Sequence, residues 1–214
     1  MEGKNMDKAM IINKTEEWVF QELKTETSGH DWWHIYRVTQ TAKSIARVEK
    51  ADIFICEMAA LLHDLADPKL YENEAAQIEK IKKWLKDLTV EERFITAIIE
   101  IISTMSYRGG GRPAMKTKEG EVVQDADRLD AIGAIGIART FVFSGAMNQL
   151  IYDPSEQIQN ISLKNASAIH HFYDKLLKLK SLMNTEYARK LAESRHSYME
   201  NFLKQFFQEW SGEL

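Results

Sequence analysis

Only three prolines, Pro68, Pro113 and Pro154, interrupt 214 residues, and each stands in a polar or glycine-rich neighbourhood where a connection is expected. Proline removes a backbone donor and breaks a helix interior, so the long proline-free runs between them are open to helix. Apolar residues in those runs recur three and four apart, and no run of alternating β-branched residues or internal repeat is found. The expected fold is all-α: one globular domain over residues 1–214, an array of seven to nine helices rather than a four-helix bundle.

The spacing predicts helices over about 6–24, 31–49, 53–65, 74–86 and 90–105. Asp52 is placed to cap the third, and Thr89 to cap the fifth with Glu92 in capping-box position. The stretch from Ser106 to Glu121 loses apolar periodicity and reads as a surface loop. Helix resumes over 127–143 with small residues that let another element approach closely, a second loop covers about 144–162, and two long helices, 163–182 and 185–210, close the chain. In the last of these Tyr187, Leu191, Tyr198, Phe202 and Phe206 form a stripe expected to pack in the core or against a second copy, so a homodimer stays open.

Lys and Arg total 28 against 32 Asp and Glu, and the net charge of -4 is spread along the chain. A dedicated nucleic-acid binder usually carries a basic surplus, so nucleic acid is not an expected partner. No stretch approaches the roughly 20 apolar residues that cross a bilayer. The N-terminus has no continuous apolar run like that of a signal peptide. Cys56, the single cysteine, has no partner for an internal disulfide and reads as a small buried apolar residue. The expected location is the cytoplasm.

Among six histidines, His30, His34 and His63 fall in the first third of the chain, close to Asp31, Asp64 and Asp67. The pair His63-Asp64 closes the apolar run MAALLHDLAD, and a buried carboxylate beside a buried imidazole is costly unless paired or bound to a metal. Mixed imidazole and carboxylate ligands suit Mn, Fe, Co, Ni or Zn.

The order His34, His63-Asp64, Asp127 resembles the H…HD…D signature of the HD-domain metal-dependent phosphohydrolases. Intervals of 29 residues (34 to 63) and 63 residues (64 to 127) suit ligands delivered from separate helices. The contexts HIYRV, AALLHDLAD and VQDADRLDAIGAIGIAR each resemble their counterparts. The longer forms GHDWWHIYRV and QDADRLDAIGAIGIAR are similar to a bacterial branch acting on small phosphorylated compounds, nucleotides in particular. The match spans about 29–139, with a C-terminal helical extension over about 163–210.

The resemblance implies that His34, His63, Asp64 and Asp127 hold one divalent cation, with Mn the first choice and Co, Ni, Fe, Mg or Zn as others. It implies that Asp67, one turn on if the helix continues, assists the attacking water together with Asp64. His30 and Asp31 could orient ligands or contact phosphate, and Arg37 is a candidate phosphate clamp because guanidinium offers a bidentate fork. Dinuclear relatives use further histidines between the doublet and the last Asp; none occurs here between Asp64 and Asp127, which favours one metal.

Each of these residues has a plainer reading. A single histidine on an apolar face is more often a hydrogen-bonded core residue, and Asp67 before Pro68 could simply end its helix. Asp125 and Asp130 flank Asp127 and could be mistaken for the ligand; Asp130, one turn along the same face, could instead support it or hold Arg128. HDWWH superficially resembles the zinc-protease H-E-x-x-H, but Asp31 is a methylene shorter than the glutamate that activates water there. Arg108, Arg112 and Lys116, in the glycine-rich tract, could add cations for a polyphosphate or belong to a solvated loop. His170, His171 and His196 read as structural or surface residues.

The expected activity is hydrolysis of a nucleotide phosphoanhydride, nucleoside triphosphate to monophosphate and pyrophosphate. The alternatives are a nucleoside 5'-monophosphate phosphatase and a non-catalytic, nucleotide-sensing metal-binding module.

Overall fold

A computed structural model describes residues 6–26, 29–67, 71, 73–105, 115–155 and 167–213. Among them there is no strand. The elements are α1 (Lys8–Leu23), α2 (Trp32–Glu49), α3 (Ile53–Leu62), a 3-10 turn (His63–Ala66), α4 (Glu74–Asp87), α5 (Glu92–Thr104), α6 (Lys118–Asp130), α7 (Gly133–Ala146), α8 (Ala168–Asp174), a second 3-10 stretch (Leu176–Leu182) and α9 (Glu186–Ser211). No single helix among the described residues is long and apolar enough to cross a membrane. The chain divides into two compact units, Met1–Ala126 and Asp127–Leu214.

In the first unit α3 is the central element, packed against α1, α2 and α5. Its sequence, IFICEMAALL, is apolar but for Glu57, which pairs with Lys43, and a helix of that composition is stable only when surrounded. Asp52 caps it as expected, its carboxylate accepting from the backbone N–H of Phe54 (2.9 Å) and Ile55 (3.2 Å). Asp31 does the same for α2, accepting from His34 N–H at 2.8 Å. The stripe His34, Val38, Ala42, Ile45 of α2 is wholly buried.

Two expectations fail here for local reasons. Thr89 does not cap α5; its φ of 56° and the N–H bonds from Thr89 to Lys86 and Val90 to Leu85 finish α4 instead, and Glu91 precedes α5 without a side-chain cap. The loop placed over 106–121 is too long, because α6 begins at Lys118. Residues 106–114, with Arg108 and Arg112, lie outside the described residues.

In the second unit α9 packs against α7 and the second 3-10 stretch. The single helix expected over 127–143 is two. The chain turns at Ala131–Ile132, and Gly133 enters α7 with φ +77°, a conformation that disfavours any side chain. The helix placed over 163–182 is short: α8 ends at Asp174, the remainder is 3-10, and α9 is the one long C-terminal helix among the described residues. The buried line of α9 is Ala188, Ala192, His196, Met199 and Leu203, while Tyr198 is exposed. His170 and His196 are core residues of this unit.

Candidate metal centre

The end of α3 is where the first unit concentrates polar groups. The α-helix stops at Leu62 and tightens into the 3-10 turn His63–Ala66, so Asp67 is not one α-turn beyond Asp64. Asp67 takes an extended conformation, its N–H bonded to the Asp64 carbonyl at 3.1 Å. Three imidazoles converge on Asp64. His30 Nδ1 lies 3.0 Å from Asp64 Oδ2, His34 Nε2 lies 3.5 Å from the same oxygen, and His63 Nε2 lies 3.2 Å from Oδ1. One ligand atom from each of His30, His34 and Asp64 falls within 4.8 Å of the others.

Burial makes this arrangement unusual. Asp64 is 2% exposed, His34 0% and His63 7%, whereas His30 sits at the rim. Burial alone would push the Asp64 carboxyl up. The His63 imidazole, the hydrogen bond to His30 and the nearby His34 together outweigh it and hold the group well below the ordinary carboxylate range. A carboxylate kept ionised in a dry place is prepared for a cation.

The hydrogen bonding of His63 shows which of its nitrogens faces that carboxylate. Its Nδ1 is 2.8 Å from the Ala60 carbonyl, which can only accept, so Nδ1 carries the hydrogen. In the neutral ring Nε2 is then a lone pair, and it faces a carboxylate oxygen. A proton on Nε2 supplies the His63 charge that lowers the Asp64 carboxyl, and a divalent ion between the two atoms would take that proton's place, so the donor set fits such an ion.

Other expected residues are distributed as follows. Gly29, with φ +95°, turns the chain so that His30 precedes the α2 cap. The Asp31 carboxylate is committed to capping α2, which steadies the turn bearing His34. Arg37 is on α2, partly exposed. Lys116 Nζ pairs with Glu100 at 3.1 Å on the exposed surface. Asp127 is on α6, the first residue of the second unit.

Sequence reasoning missed Tyr71. Its N–H bonds to the Asp67 carbonyl at 3.1 Å, and its hydroxyl is pushed up by burial and by the charges of Glu22, Glu26 and Asp64. Nothing in a lone tyrosine seven residues beyond the doublet marks it as lying in the field of Asp64.

Comparison with known proteins gives the family. Residues 32–132 match the family model of the HD domain. YpgQ of Bacillus subtilis is 45% identical over 190 residues, covering 88% of each chain. The crystal structure of an HD-superfamily hydrolase from Bacillus thuringiensis is 48% identical with a TM-score of 0.80, covering 95% of this chain and 98% of that one. YpgQ in complex with ADP gives 41% identity and a TM-score of 0.78 over 92% and 97% of the two chains. With its histidines and aspartate gathered at the end of a buried helix and relatives matched over nearly their full lengths, this chain belongs to the HD-domain family of hydrolases.

Proposed function

We propose that the chain is a divalent-metal-dependent phosphohydrolase that converts a nucleoside triphosphate to the monophosphate and pyrophosphate. The observation that carries the reading is the buried carboxylate of Asp64, kept ionised and faced by Nε2 of the His63 ring at 3.2 Å. His34, His63, Asp64 and Asp127 are assigned as ligands of one cation, Mn²⁺ by preference, with Co²⁺, Ni²⁺, Fe²⁺, Mg²⁺ or Zn²⁺ as alternatives. Such an ion supplies an acidified water and a polarised phosphoryl group.

The protein's own part is positioning and proton movement. His30 orients the Asp64 carboxylate from the rim, and Asp31 fixes the first turn of α2 beneath His34. Asp67, half-buried and tied by its backbone to Asp64, takes the proton from the attacking water. As the water oxygen bonds to the α-phosphorus, the bond to the bridging oxygen breaks and pyrophosphate departs. Arg37 is assigned to the phosphate chain, with Lys116, Arg108 and Arg112 as further cations for it. The ADP complex of a relative supports a nucleotide in this role, and the location that goes with this reading is the cytoplasm.

The test is product analysis with Mn²⁺, Co²⁺, Ni²⁺ or Mg²⁺ on a panel of ribo- and deoxyribonucleotides, wild type against Asp64→Ala. Pyrophosphate from triphosphates, absent in Asp64→Ala, is the expected result. Orthophosphate from monophosphates would replace it with a 5'-nucleotidase, and no turnover above the variant's background on either class would overturn the nucleotide assignment.

A further inference from the structure

The far end of α6 is held by arginines from two other helices of the second unit. Arg195 of α9 donates through Nη1 to the Leu129 carbonyl. Arg139 of α7 donates to the Asp130 carboxylate at 2.8 Å and to the Asp130 carbonyl at 3.4 Å. Carbonyls in the last turn of a helix have no partner within it; here Arg195 joins the Ile132 N–H (3.3 Å) on the Leu129 carbonyl and Arg139 reaches that of Asp130, at the end of the helix dipole that favours a cation. Asp130 is 5% exposed, and burial disfavours the charge on Arg195 while Asp130 opposes that effect, so the contacts are desolvated ones.

The backbone is shaped to admit this clasp. The Arg195 stem lies across Gly133, where a Cβ would come within 3.0 Å of both Arg195 Cβ and Cγ. A Cβ on Gly136 would come within 2.3 Å of the Ala131 carbonyl oxygen, so the first turn of α7 rests directly on the turn that follows α6. Asp127 is only two residues before Leu129 and three before Asp130. A displacement of that turn therefore swings the Asp127 carboxylate.

We propose that Arg195, assisted by Arg139, is a positioning residue for Asp127, setting the orientation in which that carboxylate reaches the metal. The inference rests on the assignment of Asp127 as a ligand. Neither arginine touches substrate; each acts through the backbone of the α6 terminus.

The experiment is a double-mutant cycle read by Mn²⁺ affinity, using calorimetry or the free-ion electron paramagnetic resonance signal, on the full chain without nucleotide. Arg195→Met keeps the stem over Gly133 and removes the donor. It is expected to weaken Mn²⁺ binding about 10–100-fold, the range for residues that orient a metal ligand, while the helical circular dichroism stays unchanged. Asp127→Ala is expected to weaken it at least as much, and adding Arg195→Met to Asp127→Ala to cost nothing further. Arg139→Gln displaces the same turn from the other side, so the test stands even if Arg195→Met fails to fold. Unchanged affinity in a folded arginine variant, or an equal loss in the Asp127→Ala background, overturns the proposal. Unchanged affinity in Asp127→Ala alone overturns the ligand assignment on which it rests.

Discussion

His30 Nδ1 meets Asp64 Oδ2 at 3.0 Å across 34 residues of sequence, joining the rim of the site to its most buried carboxylate. A ring so placed fixes which lone pairs of Asp64 point to a cation and raises its readiness to bind one. His30→Ala is expected to weaken Mn²⁺ binding about 10–100-fold and to lower turnover at subsaturating metal. Titration calorimetry against wild type checks this, and an unchanged Kd would remove His30 from the site.

Metal should also stabilise the fold. A cation bound by the native state alone, at about 100 times its Kd, adds about 2.7 kcal/mol. For a chain of this size that corresponds to a rise in Tm of about 5–10 °C. The rise should vanish on chelation with EDTA and be absent in Asp64→Ala, both visible in one melting series.

The residues proposed to carry the chemistry stand out in the sequence because chemistry restricts residue type. His34 and His63-Asp64 could be picked out by order and context, and the caps Asp31 and Asp52 because a short acceptor before an apolar run has a local purpose. Tertiary choices were not legible. Thr89 reads as a cap, yet its backbone is consumed in finishing α4. The run GAIGIAR reads as helix interior, and nothing local shows that Arg195, 66 residues from Leu129, comes to clasp the turn before it. The 3-10 tightening at His63 was hidden too, since nothing in the run AALLHDLAD marks where the α-helix gives way to it.

Cys56 should be inert in the folded protein. It is fully buried, and burial, with the charges of Glu119 and Asp52, pushes its thiol far above the ordinary range, so almost no thiolate forms. At pH 8 a thiol reagent such as a maleimide is expected to label native protein at the rate of unfolding and denatured protein at once. Fast labelling of the native state, followed by mass spectrometry, would contradict the buried environment of α3.

Glu16 on α1 carries a pH-dependent strain on stability. Burial and the charge of Glu57 push its carboxyl up, with Lys43 opposing, and Lys43 is itself ion-paired with Glu57. A folded-state value above the unfolded one means that the stabilisation from the protonated form is full in acid and lost as pH rises through the folded value. Glu16→Gln should therefore melt slightly higher than wild type at pH 7, and the two should converge near pH 4. Since Glu16 is partly exposed, solvent screening limits the difference to about 1 kcal/mol or less. Parallel thermal melts at the two pH values read it directly.

Gly136 offers the severest test of the corner between α6 and α7. A methyl group there would lie 2.3 Å from a backbone oxygen, that of Ala131, which no rotamer change can move aside. The chain must shift either the last turn of α6 or the start of α7. Gly136→Ala is ordinarily favourable in a helix by up to about 1 kcal/mol. Here overpacking reverses the sign and is expected to cost about 1–3 kcal/mol. Gly145→Ala, on the same helix with nothing within 4 Å of its built Cβ, serves as the control and should be neutral or stabilising. Denaturant unfolding of the two variants separates the outcomes, and equal stability would show that the corner yields freely.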